Sequence, residues 1–84
     1  MAQLLYFASL RETLEADQEQ LELPHNITSI GSLKQLLAQR GGAWEQAFNH
    51  DMSLLVSINQ QMASDDSVIV ENDEIAFCPP VTGG

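Results

Sequence analysis

Apolar and polar positions divide the 84-residue chain into short segments of two periods. Gln3 to Ala8 is an apolar run containing Tyr6 and Phe7 and reads as a strand. Ser9 offers an N-cap oxygen and Glu12, three residues on, completes a capping box, so a short helix is expected from Leu10 to about Leu14. Gln18 to Leu23 sets Leu21 and Leu23 against Gln20 and Glu22, the alternation of a half-buried strand, and Pro24 stops it. Asn26 to Ser32 carries turn residues and helix-start signals, after which Ile30, Leu33, Leu36 and Leu37 recur at helical spacing. Lys34 and Arg40 stand late in that helix, where positive charge suits its dipole, and Gly41-Gly42 ends it. Ala43 to Phe48 adds a helical turn with Trp44 and Phe48 on one face. Leu54 to Ile58 is a strand, Asn59-Gln60 a two-residue turn and Gln61 to Ala63 its short return. Ser64 to Asn72 is an acidic connection around Val68-Ile69-Val70, and Glu74 to Cys78 is the last strand. Pro79-Pro80 cannot donate ladder hydrogen bonds, so pairing ends there and Val81-Thr82-Gly83-Gly84 is a tail.

The order strand, short helix, strand, long helix, strands fits an α+β fold in which a mixed sheet wraps over one main helix, the β-grasp arrangement. A ferredoxin-like fold needs a second long helix before the final strand, and Ser64 to Asn72 is too short and too acidic for one. The expected division is a β-grasp domain over 1–80 and a flexible tail over 81–84. Strand alternation also assigns faces. With Leu4, Tyr6, Ile75, Phe77, Leu54, Val56 and Ile58 turned to the core, Leu5, Phe7, Ala76, Cys78, Leu55 and Ser57 turn away. A sheet this small is covered on one face only. The other then exposes Phe7, Cys78 and Met62, and an uncovered apolar patch on an acidic protein marks a partner surface.

Composition narrows the function. A single domain of this size removes only about 60% of its unfolded surface from water, which leaves little room for an enclosed active site. A carrier, adaptor or binding module is expected before an enzyme. Twelve acids against three bases give a formal charge of −9. That argues against nucleic acid and anionic membranes as partners and favours basic protein surfaces. Five of the acids, Asp65, Asp66, Glu71, Asp73 and Glu74, fall in the ten residues that end on the first position of the last strand, a concentration that suggests a directed role. Cys78 is the only cysteine, so neither an internal disulfide nor a zinc or iron–sulfur pair can form. The N-terminal segment has no basic n-region or long apolar run, and the expected compartment is the reducing cytoplasm.

The tail carries the most distinctive chemistry. Two prolines make a stiff spacer, and the four residues beyond reach about 13 Å at full extension. Gly83 and Gly84 have no side chains and can enter a slot closed to other residues. A terminal carboxylate is ionised at neutral pH and is a poor electrophile. Adenylation would supply a leaving group, and a sulfur donor could displace AMP to give a thiocarboxylate. Other candidates are weaker. Cys78 reads as a small apolar surface residue. His25 and His50 stand apart in loops, and Ser9 and Ser57 have no histidine partner. The acidic pairs Asp65-Asp66 and Asp73-Glu74 lack a calcium-loop pattern, so no metal site is expected.

Tyr6-Phe7-Ala8-Ser9-Leu10-Arg11-Glu12 and the run from Asp73 through Pro79-Pro80-Val81-Thr82-Gly83-Gly84 resemble the small, sulfur-carrier subunits of molybdopterin synthase, and Val56 to Gln60 resembles their strand-and-turn ending in Asn-Gln. The resemblance spans the chain. Cys78 departs from the aromatic or larger aliphatic residue common there. It implies a ubiquitin-like β-grasp fold with no bound cofactor, and a Gly84 carboxyl activated by an ATP-dependent adenylating enzyme and converted to a thiocarboxylate. It implies that Pro80, Val81, Thr82 and Gly83 enter the large catalytic subunit, for which the face assigned by alternation, with Phe7, Met62 and Cys78, is the expected docking surface. Sulfur would pass there to a cyclic pyranopterin phosphate during molybdenum cofactor biosynthesis. The chain would be non-catalytic alone, in an assembly of two small and two large subunits. Carriers for thiamine or tRNA thiolation, and an acidic ubiquitin-like interaction module without sulfur chemistry, are the alternatives.

Overall fold

The structure is a computed structural model that describes residues 1–49 and 54–79. Five strands form one sheet in the order β2-β1-β5-β3-β4: β1 (Ala2–Tyr6), β2 (Gln18–Leu21), β3 (Leu55–Ile58), β4 (Gln61–Ala63) and β5 (Glu74–Cys78). β1 and β5 pair in parallel at the centre, with Leu4 opposite Ile75 and Tyr6 opposite Phe77. β2 on β1, β3 on β5 and β4 on β3 are antiparallel, which makes the sheet mixed as expected. Asn59 and Gln60, at φ 51° and 71°, close the β3–β4 hairpin. Both central residues of a type I′ turn need positive φ, and such a turn follows the twist of its strands.

The alternation places side chains as read. Ala2, Leu4, Tyr6, Val56, Ile75 and Phe77 are buried on one face. Against them lie α1 (Ala8–Leu14), α2 (Ile30–Ala38) and α3 (Gly42–Asn49), which contribute Leu10 and Leu14, Ile30, Leu33 and Leu37, and Ala47 and Phe48. α2 is the longest helix, but α3 shares the cover. Trp44 and Phe48 stack on one another at 6.1 Å, and Phe48 meets Phe77 edge-on at 5.2 Å.

Several boundaries differ from the sequence reading, among them the ends of β1, β2 and α2 and the starts of α1 and β3. β1 stops at Tyr6, and the cap of α1 is Phe7, with no side-chain capping bond. The Phe7 N–H is donated to the Phe77 carbonyl at 3.1 Å, and Ala8 then turns away at φ 55°. This turn enters the helix one residue before Ser9, so the Ser9–Glu12 box does not form. The capping box is on α2 instead: Ser29 accepts from the Ser32 N–H at 3.2 Å, and the Ser32 hydroxyl accepts from the Ser29 N–H at 3.1 Å. β2 ends at Leu21, although Leu23 still packs on the core, because the Leu23 N–H is held by the Glu71 carboxylate at 2.9 Å rather than by a neighbouring strand.

Candidate functional site

The outward face of the sheet is assembled row by row from the same alternation. Leu5 lies opposite Ala76, Ala76 opposite Ser57 and Ser57 opposite Met62. Leu55 lies opposite Cys78 in the next row. Phe7, which has left β1 but keeps its bond to β5, completes that row. Phe7, Leu55, Ser57, Met62, Ala76 and Cys78 line a shallow, largely apolar depression of about 270 Å³. Phe7 is 45% exposed and Met62 72%, values too high for core residues of their size. The structure thus brings Phe7, Met62 and Cys78 together. Leu55, 41% exposed, belongs with them. The alternation had turned Leu55 outward without marking it as part of the site.

The depression lies at the end of β5 from which the chain leaves the sheet. Pro79 follows directly and lines a second cleft, of about 250 Å³, with Leu10 and Thr13 of α1, Ala47 of α3 and Leu54. Pro80, Val81, Thr82, Gly83 and Gly84 lie outside the described residues, as does His50. Among the described residues no group of three histidine, cysteine, aspartate or glutamate side chains could hold a metal ion, and no helix is long and apolar enough to cross a membrane.

Behind the sheet, a polar clamp fixes β1 and β2 to the helices. Glu19 sits on the inward face of β2, receives the Tyr6 hydroxyl at 2.7 Å and takes a two-pronged contact from Arg40 at 2.8 and 2.9 Å. The Arg40 guanidinium also lies 4.4 Å from the Trp44 ring centre. Arg40 hydrogen bonding holds the Glu19 carboxyl below the usual glutamate range. Burial, reinforced by Glu19, pushes the Tyr6 phenol well above its ordinary value. Arg40 lies in the turn after α2, not late in that helix, and serves a carboxylate on another element rather than the helix dipole.

The acidic stretch is largely absorbed by local structure. Asp65 pairs with Lys34 at 2.7 Å. Glu71 accepts the Leu23 N–H and meets the Met1 ammonium at 3.1 Å, contacts that lower its pKa in that order. Asp73 accepts from the Asn59 amide and the Val70 N–H, both at 2.9 Å. These bonds account for the placement of three of the five acids without a partner.

A mixed five-stranded sheet with helices on one face and an uncovered apolar face beside the exit of its C-terminal segment is a ubiquitin-like β-grasp domain. The ThiS family pattern matches residues 4–84, and the chain belongs to that family. It is 40% identical over 84 residues to the molybdopterin synthase sulfur carrier subunit of Haemophilus influenzae and 36% identical to that of Escherichia coli, with 100% of both chains covered in each comparison. Its fold superposes on the small archaeal modifier protein 1 of Haloferax volcanii with a TM-score of 0.76 at 21% identity, covering 95% of this chain and 97% of that one. It also superposes on a chain from the complex of subunits 1 and 2 of the molybdopterin-converting factor of Helicobacter pylori, with a TM-score of 0.65 at 14% identity, covering 99% and 97%.

Proposed function

We propose that this chain is the sulfur-carrier subunit of a molybdopterin synthase and that Gly84 is its working residue. A partner enzyme adenylates the Gly84 carboxylate at the expense of ATP. A sulfur donor then displaces AMP, leaving a thiocarboxylate. The tail, Pro80 to Gly84, enters the large catalytic subunit, where the sulfur passes to a cyclic pyranopterin phosphate. The carrier itself holds no cofactor. Both partner steps are cytoplasmic in this reading.

The observation that supports it most is the apolar depression around Phe7, Leu55, Met62 and Cys78, which adjoins the strand that feeds the tail. A partner docked there receives the tail from a fixed direction. Burying that face is favourable at about 25 cal/mol per Å² of apolar surface, while the chain's formal charge of −9 speeds the encounter with a basic partner. Full-length matches to two sulfur-carrier subunits support the same reading.

Intact-mass analysis tests it. Protein incubated with an adenylating enzyme, ATP and a sulfur source gains about 16 Da, one oxygen exchanged for sulfur at the activated carboxyl. A chain lacking Gly84 stays folded and gains nothing. Joining of the chain to lysines of other proteins, without that mass gain, would mark a ubiquitin-like tag and refute the carrier reading.

A further inference from the structure

Lys34 is the only lysine of the chain, and the two other cations, Arg11 and Arg40, are arginines. A guanidinium stays protonated and does not accept acyl groups, whereas a lysine amine does. An activated glycyl carboxyl therefore meets one lysine side chain on any second copy of the chain. The surroundings of that side chain are specific. Lys34 Nζ lies 2.7 Å from Asp65 Oδ1, and its side chain is only 18% exposed.

Asp65 is placed there by the backbone. The first N–H groups of a helix have no partners within it and need outside acceptors. At the start of α2 the connection 64–67 supplies them: the Ile30 N–H goes to the Ser67 carbonyl at 3.1 Å and the Gly31 N–H to the Asp65 carbonyl at 2.9 Å. The connection is itself closed by the Ser64 N–H on Ser67 Oγ at 3.0 Å. Gly31 permits the approach, since a β-carbon there would stand 3.3 Å from the Asp65 carbonyl oxygen. Lys34 follows Gly31 by three residues and so shares its side of the helix. The docking that satisfies the helix end thus also sets a carboxylate against the lysine.

We infer that Asp65 masks Lys34 against acylation by the activated Gly84 of a second copy, so that the activated carboxyl is kept for sulfur. The inference rests on the carrier reading of Gly84. In the suppressed reaction, the ammonium first loses a proton. The Nζ lone pair then attacks the Gly84 carbonyl carbon, a C–N bond forms, and the bond to AMP or sulfur breaks with its electron pair on the leaving group. A second proton is lost, and two chains are joined by an isopeptide that can no longer carry sulfur. An ion pair with one exposed partner gives modest protection on its own, roughly two- to five-fold, and the cover over the Lys34 side chain adds to it.

The test needs no partner enzyme. Full-length chain bearing a chemically installed thioester at Gly84 is mixed with unmodified chain in excess small thiol, which reverses exchange at Cys78 and leaves only amides. Wild-type protein should give little Lys34-linked dimer. Asp65→Asn, which keeps the backbone contacts, should raise the rate at Lys34 about two- to five-fold, and Lys34→Arg should abolish that product. Acetylation of Lys34 by a small activated ester should rise in the same ratio, a readout independent of dimer geometry. Equal rates for wild-type and Asp65→Asn protein, or wild-type Lys34 reacting as fast as lysine in an unstructured peptide, would overturn the inference. So would products confined to the amino terminus in both. Failure to form a thiocarboxylate with the adenylating enzyme refutes the carrier reading instead, and leaves the thioester measurement unaffected.

Discussion

The Tyr6 hydroxyl donates to Glu19 Oε1 at 2.7 Å, across the β1–β2 pair and beneath the helices. Tyr6 also stacks on Phe77 at 6.2 Å and meets Trp44 edge-on at 5.4 Å, so one side chain joins the central strand pair, β2 and α3. Glu19 brings in Arg40, and the clamp closes the edge of the core nearest β2.

The clamp makes stability depend on acid. The Glu19 carboxyl titrates lower in the folded chain than in the unfolded one. Its contribution is fully present above the unfolded value, about 4.3, and is lost as pH falls through the lower folded value. Glu19→Gln should therefore be less stable than wild type at pH 7, with the difference narrowing towards pH 3. Urea unfolding followed by Trp44 fluorescence across that range measures it. Tyr6→Phe keeps the ring contacts and should cost about 1–2 kcal/mol. The raised Tyr6 pKa has the opposite sense: its contribution holds below about pH 10 and fades as pH rises through the folded value.

Phe7→Glu separates docking from folding. Phe7 is 45% exposed and contributes only its backbone N–H to the sheet. The variant should melt within a few degrees of wild type and bind the large synthase subunit at least tenfold more weakly. A Phe7→Glu chain that fails to fold, or one that binds normally, removes the depression from the docking surface.

Asp73 links the β3–β4 turn to the connection before β5 through Asn59 and Val70. Asp73→Ala should lose about 1–2 kcal/mol, the cost of two hydrogen bonds to a charged acceptor in a half-buried setting. At about 4–8 °C per kcal/mol for a domain this size, calorimetry resolves the change.

Gln60 holds φ 71° in the type I′ turn. Glycine takes that conformation without steric cost, so Gln60→Gly should raise stability by about 0.5–1 kcal/mol, read as a higher urea midpoint at unchanged slope.

Local patterns in the sequence carried much of this. The faces of β1, β3 and β5 follow from alternation, and Asn59-Gln60 between apolar runs marked the hairpin. The outward trio Phe7, Met62 and Cys78 followed from the same rule. The start of α1 did not, because Ala8 enters the helix through a left-handed turn that no local pattern announced. The clamp was half legible. Counting back by twos from Leu23 and Leu21 puts Glu19 on the inward face, but its partners come from β1 and from the turn after α2, and pairing between elements leaves no local trace. The acidic stretch was legible as charge alone, since the donors its carboxylates meet, Lys34, the Leu23 N–H and the Asn59 amide among them, become visible only once the elements that carry them are placed.

β5 is the last strand among the described residues and the middle strand of the sheet, bonded to β1 on one side and β3 on the other. On the ribosome, therefore, the sheet stays in two pieces until β5 has been made. β1 with β2 and β3 with β4 form separate antiparallel pairs, and two strands alone are marginal in water. A chain cut short before β5 has no domain to present, so translation yields few folded copies that lack the tail. In the carrier reading proposed above, such copies would occupy the partner's docking surface while delivering nothing. Placing the closing strand immediately before the tail couples the two, and quality control of the tail reduces to the ordinary clearance of unfolded chains.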